Sequence, residues 1–399
     1  MKTTRRELLA GAAAGIFCPA LLKNAFAADA TRICSVLSLS GPFSSAGKPA
    51  DLGARLAVRA LASKYGLSAE YVALDDEGNP GRAMPKIITA AQREKIRFFS
   101  GPVLSSVGLA MSQAVANLGG VYVSSIGADE VTGSECRKST FRWPVPSYGA
   151  IQQTVRPLIG MLPSARRWFT VTPSYVFGEA LLRNSKAIFK ELGVEHVGNI
   201  DHSLTETEFS GHITNILAAK PDVILVLNFG PQTTNFLRQA AEFGLKDKMK
   251  ILVAWGAGLE QFSEIGSDVL DGVYFGLQYW HDVDTPKNKA IVELFRNEAN
   301  TLPSWSMVNL FTCNDLLLQG LKKAKSDDPQ EVIKALEGLT YEGPTGEENI
   351  RPFDHQCVKE YYLALAKPAS KKKNDADFVD IVSSGRSFVE QAISQCRMT

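Results

Sequence analysis

From residue 31 onward, short runs of apolar and β-branched residues alternate with longer segments of helical period. The first such runs cover residues 33–39, 71–74, 96–99 and 121–124. This alternation is typical of βαβ units, in which helices cover both faces of a parallel sheet. The pattern therefore predicts an α/β fold whose first doubly wound lobe is complete near residue 142.

The alternation restarts after Pro144 and Pro146, with apolar runs at residues 168–171, 223–227 and 251–254. A residue that precedes proline avoids the helical conformation, so the proline pair favours an extended crossing into a second doubly wound lobe. A chain of 399 residues has the length of two ordinary domains. We expect residues 28–143 plus 279–354 to form lobe 1, and residues 144–278 plus 355–399 to form lobe 2.

The first 27 residues have the features of an export signal. Arg5 and Arg6 precede an apolar stretch over residues 8–22, and Ala25-Phe26-Ala27 supplies a small-residue cleavage site. The stretch is shorter than the ~20 residues that a membrane-spanning helix needs. Because paired arginines favour the twin-arginine route, we expect a periplasmic protein exported by that route.

Charge and cysteine usage agree with an exported protein that does not bind nucleic acid. The chain has 43 basic and 42 acidic residues, and no basic patch that would suit nucleic acid is apparent from the sequence. An oxidising compartment permits disulfides. Cys34 and Cys313 lie in strand and helix patterns and are predicted core residues, whereas the segments around Cys136, Cys357 and Cys396 are polar. Of these three, we favour a disulfide between Cys136 and Cys396.

An enzymatic function finds little support. None of the five histidines lies in a catalytic motif, and the sequence has no GxSxG, HExxH or phosphate-binding GxxxxGK[ST] motif. The densest local cluster is Asp354-His355-Gln356, for which structural hydrogen bonding is the preferred interpretation. Because triads assemble from distant positions, a hydrolase stays as a remote alternative. No cofactor or metal is expected.

A ligand site is indicated where two neighbouring strands end. After a glycine turn at Gly101, Ser105 and Ser106 open a helix, with Ser105 as the predicted N-cap. The free N–H groups and the dipole of such a helix start can bind a carboxylate. A second polar turn, Ser124–Ala128, follows the next strand, and the carboxyl ends of parallel strands are where open α/β sheets bind ligands. A plain helix cap without a ligand is the alternative.

Five motifs occur in a recognisable order along the chain: Leu39-Ser40-Gly41-Pro42 through Gly47, Ser105-Ser106 followed by Ser124–Ala128 and Thr132, Phe177-Gly178-Glu179, Leu237–Leu245, and Ile350-Arg351 before Asp354-His355-Gln356. Together they resemble the leucine/isoleucine/valine-binding family of periplasmic receptors that serve ABC importers. The resemblance covers nearly all of the chain after the signal. It implies the type I periplasmic binding protein fold, with two parallel-sheet lobes joined by three crossings. It also implies a monomer that encloses a small ligand and delivers it to membrane permease subunits.

The resemblance implies a carboxylate clamp at Ser105, next to Ser106, and at the backbone of Ile126 and Ala128. Amino-acid receptors of the family usually have a threonine at the position of Ala128. At the position aligned with Ala257 they usually have an acidic residue that pairs with the ammonium group of the ligand. An unpaired ammonium group in a closed cleft would cost several kcal/mol, so the two alanines argue against α-amino acids.

Aromatic residues indicate the character of the remaining ligand. The resemblance implies that Phe177, and Phe229 or its neighbour Gly230, stand where the family has tyrosines. Phe43 and Trp255 add apolar surface, and Tyr148 is a further candidate wall. These residues predict an apolar or aromatic carboxylate as the ligand. The alternative for each aromatic residue is ordinary core packing. A receptor for branched-chain amino acids or small amides is the alternative function.

Overall fold

The computed structural model describes residues 30–398, so the predicted export signal lies outside the described residues. Two separate sheets form the framework, and the predicted α/β fold with two parallel-sheet lobes is confirmed. Along the first strand, Ile33 and Leu37 pack into one core cluster while Cys34 and Val36 pack into another. Because successive side chains of a strand point to opposite faces, this strand is buried on both of its faces.

The first sheet has five parallel strands in the order β2-β1-β3-β4-β5. Its strands are β1 (Thr31–Leu37), β2 (Ala69–Asp75), β3 (Phe98–Gly101), β4 (Val121–Ser124) and β5 (Thr140–Arg142). Since β2 lies on one side of β1 and β3 to β5 lie on the other, the chain moves first to one side and then to the other, and the sheet is doubly wound.

The second sheet has seven strands in the order β15-β14-β10-β9-β8-β6-β7. Strands β6 to β10 are parallel, whereas β14 and β15 join one edge in antiparallel orientation. Its strands are β6 (Arg167–Pro173), β7 (Glu195–His202), β8 (Val223–Val226), β9 (Lys250–Val253), β10 (Tyr274–Leu277), β14 (Tyr361–Ala366) and β15 (Val379–Gly385).

Twelve helices cover the sheets within the described residues. They are α1 (Ser44–Leu61), α2 (Pro80–Gln92), α3 (Ser105–Asn117), α4 (Ser147–Met161), α5 (Val176–Leu192), α6 (Ser210–Ala219), α7 (Pro231–Glu242), α8 (Leu259–Ile265), α9 (Ser267–Leu270), α10 (Pro286–Ala299), α11 (Trp305–Ala324) and α12 (Pro329–Leu336). Helix α11 follows the strands of the second sheet in the sequence but packs against α1, β3 and β4 of the first. The chain therefore returns to the first lobe after β10.

Three crossings connect the lobes: β5 to α4, β10 to α10, and the return from α12 to β14. The last crossing includes a small antiparallel sheet of β11 (Thr340–Gly343), β12 (Gly346–Ile350) and β13 (Cys357–Val358). Hinged closure of two domains takes place at connecting segments of this kind.

Buried side-chain amides tie the three crossings together. The amide of Gln278, on the second crossing, accepts from the backbone N–H of Val145 at 3.0 Å and donates to the Val145 carbonyl at 2.8 Å. On the third crossing, Gln356 donates to the Pro144 carbonyl at 3.0 Å and accepts from the Nε of Arg142 at 2.6 Å. Each buried amide thus satisfies backbone groups that a bare crossing strand would leave unpaired.

A disulfide adds a covalent link across the crossings. Cys136 lies between β4 and β5 of the first lobe, and Cys396 lies in the tail that leaves the second sheet at Gly385. The structure joins these two cysteines, the pair favoured from sequence, and the bond spans 260 residues. The polar, loop-like position expected for Cys357 is wrong, because this cysteine is buried in β13 with its thiol beside Glu348.

Removal of this disulfide should destabilise the protein because it frees a long loop in the unfolded chain. A Cys136→Ser/Cys396→Ser variant is expected to lose ~2–5 kcal/mol of unfolding free energy. Urea unfolding of the oxidised protein and of the variant measures the loss. Unfolding of the wild type under reducing conditions should reproduce the variant, and equal midpoints for all three samples would contradict a stabilising role.

A buried lysine on the third crossing should make stability depend on pH. The ammonium group of Lys359 donates to the Gln278 carbonyl at 2.7 Å and lies 4.6 Å from the ring centre of Trp143. Burial lowers the pKa of Lys359 from 10.5 to about 8. Below pH 8, both the folded and the unfolded chain hold the proton, and the cost of burying the charge is fully present.

Between pH 8 and 10.5 only the unfolded chain keeps this proton, so the contribution of Lys359 to the unfolding free energy rises with pH. We expect the stability difference between wild type and Lys359→Met to shift in favour of the wild type by about 3 kcal/mol over this interval. Urea unfolding of both proteins at pH 7, 9 and 10 tests the shift. A difference that is constant with pH would show that the lysine is not buried as described.

Candidate functional site

A cleft of ≈ 450 Å³ lies between the two lobes. Residues from the first lobe line one side: Ala46, Ala50, Pro102, Val103, Ser105, Ser125, Ile126, Gly127, Trp305, Ser306, Asn309 and Leu310. Residues from the second lobe line the other side: Tyr175, Phe177, Phe229 and Trp255. Of the ten residues proposed from sequence, the structure brings together five at this cleft, namely Ser105, Ile126, Phe177, Phe229 and Trp255.

The cleft lies at the carboxyl ends of parallel strands in both lobes. In the first lobe, β3 ends at Gly101 and β4 at Ser124, immediately before the two lining turns. In the second, β6, β8 and β9 end two or three residues before Tyr175, Phe229 and Trp255. Crevices at the carboxyl ends of strands are the usual ligand sites of doubly wound sheets.

Ser105 is the first residue of α3, and its predicted role as the N-cap is wrong. Leu104 takes the extended backbone conformation that precedes the helix, and no side chain caps this terminus. The helix therefore starts one residue earlier than the serine pattern suggested. Consequently the first N–H groups of α3 have no side-chain cap, and the side chain of Ser105 lines the cleft.

Helix α11 supplies polar lining residues that the sequence argument missed. The Nδ2 group of Asn309 donates to the Ser125 carbonyl at 3.0 Å, which leaves this amide one further N–H. Ser306 lines the cleft one turn before Asn309. Ser304, which accepts from the backbone N–H of Met307, marks the start of the helix. In the sequence, Ser304 could have indicated where this helix begins, but it does not indicate which lobe the helix packs against.

Aromatic side chains form a continuous wall. The rings of Phe177 and Trp255 meet edge to face with centres 5.0 Å apart, and Trp255 lies 6.1 Å from Trp305 of the opposite lobe. Burial raises the pKa of Tyr175, so its phenol stays neutral and can donate a hydrogen bond. Edge-to-face packing of this kind fixes ring orientation in addition to burying apolar area.

Gly127 lies where the first lobe packs closely against the aromatic rings of the second. A Cβ atom at this position would lie 2.5 Å from Cε2 of Phe177 and 2.7 Å from Cη2 of Trp255. These distances are too short for any side chain, and the two ring systems belong to the second lobe. A residue larger than glycine would therefore push the aromatic wall away from the first lobe.

Charge is absent from the lining of the cleft. Of the described residues that line it, none has a carboxylate, ammonium, guanidinium or imidazole group. The polar groups there are hydroxyls, one side-chain amide, the indole N–H groups of Trp255 and Trp305, and backbone atoms. Such a lining can donate hydrogen bonds to an anion without placing a fixed opposite charge beside it.

Five of the proposed residues lie outside this lining. Ser106 is half-buried beside Ser105, and Phe43 packs into the core of the first lobe, 6% exposed. The carbonyl of Ala128 accepts from the guanidinium of Arg142, which directs this backbone segment toward the crossings.

The last two of these five residues line other cavities. Tyr148 lines a cavity of ≈ 750 Å³ behind the cleft, together with Asp129 and Arg142. Ala257 lines a cavity of ≈ 670 Å³ that adjoins the cleft. The positions of these residues relative to the cleft depend on how the lobes face each other, which a sequence pattern does not contain.

The Asp354-His355-Gln356 cluster lies at the crossings and has a structural environment. The His355 ring stacks on Phe141 at 4.0 Å, and its Nδ1 lies 3.2 Å from the Thr140 carbonyl. Burial lowers the pKa of His355, and Asp354 pairs with Arg351. These contacts hold the third crossing against β5.

Among residues 30–398, which the structure describes, no group of three or more His, Cys, Asp or Glu residues is arranged to hold a metal ion. No helix among them is long and apolar enough to cross a membrane.

Comparison with known proteins places this architecture in a family. The family model described as periplasmic binding protein matches residues 30–373. The leucine-, isoleucine-, valine-, threonine- and alanine-binding protein of Pseudomonas aeruginosa PAO1 is 23% identical over 329 residues, which is 80% of this chain and 85% of that protein.

Solved structures give the same result. The amino acid ABC transporter substrate-binding protein of Pseudomonas fluorescens Pf-5 is 48% identical, with a TM-score of 0.90 over 93% of this chain and 100% of that one. A Rhodopseudomonas palustris solute-binding protein in complex with benzoate is 23% identical, with a TM-score of 0.82 over 92% of this chain and 99% of that one, and shares the fold. The type I periplasmic binding protein fold is therefore confirmed, and it belongs to a family of binding proteins rather than enzymes. The chain belongs to the periplasmic binding protein family and is a solute-binding protein of an ABC transporter.

Proposed function

We propose that the protein is a monomeric periplasmic receptor, exported by the twin-arginine route, that closes on a small solute with a carboxylate and an apolar body. It then delivers the solute to the permease subunits of an ABC importer. The observation that carries this proposal is the contrast within the cleft: Ser105 lies at the start of α3 on one side, and aromatic rings cover the other.

The first lobe suits the carboxylate. Helices α3 and α11, of 13 and 20 residues, begin at the cleft, and their N-terminal N–H groups carry partial positive charge. The side chains of Ser105, Ser306 and Asn309 add donors from the same lobe. A carboxylate bound here would receive several hydrogen bonds to an ionised acceptor, which are stronger than neutral ones.

Apolar amino acids are the first ligand class to test. The Pseudomonas fluorescens relative, at 48% identity, is named an amino acid transporter component, and more distant relatives are named for branched-chain amino acids. The sequence argument against amino acids depended on Ala128 and, for the partner of the ammonium group, on Ala257. This residue lines the adjoining cavity rather than the cleft, so an alanine there does not exclude an amino group.

An aromatic acid without an amino group is the second candidate. It is favoured by one observation, the uncharged lining of the cleft, which offers no partner to an ammonium group. The Rhodopseudomonas palustris relative that binds benzoate has the same fold. A small amide is uncharged, so it would bind through the hydroxyl and amide donors of the cleft without using the helix dipoles.

A thermal-shift panel distinguishes these ligand classes. The mature protein is heated with leucine, isoleucine, valine, phenylalanine, benzoate, 4-hydroxybenzoate and small amides. A true ligand at 100 times its dissociation constant adds about 2.7 kcal/mol of stability and raises the melting temperature. Isothermal titration then gives the stoichiometry, expected to be one ligand per chain. If no carboxylate shifts the melting temperature, the proposed ligand class is wrong.

Ser105→Ala should weaken binding of the carboxylate ligand found in that panel by roughly 1–3 kcal/mol, because the bound oxygen loses a donor in a desolvated site. Ser106→Ala, next to it but outside the cleft lining, is the matched control and should have little effect. Titration calorimetry measures both affinities. Equal losses at the two serines would indicate a general disturbance of α3 rather than a contact of Ser105 with the ligand.

A further inference from the structure

The two lobes also touch outside the cleft, at a cluster of polar side chains. Asp129 and Glu130 follow β4 of the first lobe, and Arg183 and Asn184 lie on α5 of the second. These four residues, hereafter the cross-lobe cluster, border the cavity of ≈ 750 Å³ behind the cleft and lie outside the cleft lining. Contacts made here therefore join the lobes without touching a solute in the cleft.

Asp129 is the centre of the cluster. Its Oδ2 accepts from the Nδ2 of Asn184 at 2.6 Å, and its Oδ1 accepts from the backbone N–H of Tyr148, at the start of α4, at 2.8 Å. The same Nδ2 donates to the Ala180 carbonyl of its own helix at 2.9 Å, which fixes the direction of the amide. Burial raises the pKa of Asp129, and the bonds from Tyr148 and Asn184 oppose that rise. Hydrogen bonds to an ionised carboxylate are stronger than neutral ones.

Arg183 adds a pairing of charges to the same contact. Its guanidinium lies 3.1 Å from Oε1 of Glu130 and 3.5 Å from Oδ2 of Asp129. The arginine side chain is 57% exposed, whereas the side chains of the two acids are 20% and 22% exposed. Water screens an exposed ion pair, so the arginine contributes less than the bond between Asn184 and Asp129.

The half of the cluster on the first lobe has a rigid support. Arg142, 1% exposed, donates to the Ala128 carbonyl and to the Thr132 hydroxyl, on either side of the two acids. Its Nε donates to Gln356 of the third crossing at 2.6 Å. The turn that carries the acids is thus fixed relative to the crossings, and little entropy is lost when the second lobe approaches it.

Helix α5 connects the cluster with the cleft. Phe177, in the first turn of α5, belongs to the aromatic wall, and Asn184 lies two turns further along the same helix. Helix α5 packs against α3 of the first lobe. Because domains close as rigid bodies, one movement brings the ring and the amide to the first lobe together.

We infer that the cross-lobe cluster is a latch that stabilises the closed state whichever solute occupies the cleft, so that ligand-free molecules also visit that state. The inference rests on the proposed function for the lobe movement itself. Closure forms the contacts of Asn184 and Arg183 with the two acids, and opening returns all four side chains to water. The latch acts on the closing equilibrium, so it changes the affinity for every ligand by the same factor.

A permanent contact near the crossings is the competing interpretation. Tyr148 lies just after the first crossing, and a bond so close to a hinge moves little when the lobes open. If the contacts of Asn184 and Arg183 also persist in the open state, their removal leaves the closing equilibrium unchanged. A direct measurement of that equilibrium separates the two interpretations.

The test removes the half of the cluster on the second lobe. Arg183→Ala/Asn184→Ala is compared with wild type and with the control Arg156→Ala, whose guanidinium pairs with Glu191 inside the second lobe at 2.6 Å. Single-molecule energy transfer between dyes on exposed positions of α2 and α6 gives the closed fraction of the ligand-free protein. Circular dichroism and melting temperature establish that each variant is folded.

We expect the double variant to shift the ratio of closed to open molecules toward the open state on the order of 10-fold, because hydrogen bonds to a carboxylate are lost only from the closed state. Arg156→Ala should match wild type. An unchanged ratio in the double variant, or a wild type without a measurable closed fraction, would overturn the inference.

Titration calorimetry with phenylalanine and with benzoate gives the second readout. The double variant should lose affinity by the same factor for each probe that wild type binds, whereas Arg156→Ala should lose none. A loss for only one of two bound probes would show a contact with that solute and overturn the inference. If wild type binds neither probe, the proposed ligand class is contradicted for these probes, and the energy-transfer comparison still decides on the latch.

Discussion

The whole molecule depends on the hydrogen bonds that hold its three crossings side by side. Gln278 and Gln356 reach from two of the crossings to the backbone of the first, at Pro144 and Val145. Prolines at 144 and 146 keep that segment extended, and the amides supply the partners that its exposed carbonyls and N–H groups need. The cleft between the lobes is lined by residues that follow the carboxyl ends of strands in both sheets, the usual place for a ligand in such folds.

The two lobes make different contributions to that cleft. Hydroxyl, amide and helix-start donors come from the first lobe, whereas the second lobe offers aromatic rings, among them Phe177, Phe229 and Trp255. Under the proposed function, the polar head of the solute would bind the first lobe, and its apolar body would be covered by the second. The closed state would then be selected by the body of the ligand more than by its head.

Sequence patterns predicted the fold well where strands are buried on both faces. Residues 121–124 and 223–226 are continuous apolar runs, and both are strands within a residue of the predicted limits. The patterns missed β7, an edge strand whose residues are mostly half-exposed, and α4, whose start follows Pro146 and whose interior contains Pro157. In those elements tertiary packing overrides the local preference.

The site was predicted in part for a related reason. Ser105 and Ile126 follow strand ends, so their place at the sheet edge is a consequence of topology. Ser306 and Asn309 belong to α11, which follows the second lobe in the sequence but packs against the first. The helical period of a sequence does not show against which lobe the helix packs. Ala257 was assigned by alignment and Tyr148 as a further candidate wall, and the structure puts both beside neighbouring cavities.

Fold similarity leaves the ligand open, since relatives with the same fold at 23% identity include one named for amino acids and one that binds benzoate. The choice between such ligands depends on two free energies of closure: the gain from burying apolar area and the cost of burying charge. Covering one aromatic or branched side chain yields about 1.5–3 kcal/mol, enough to shift the closed population roughly 10- to 100-fold. An ammonium group buried without a counterion would cancel that gain. The lining of the cleft therefore supplies no counterion of its own to an amine.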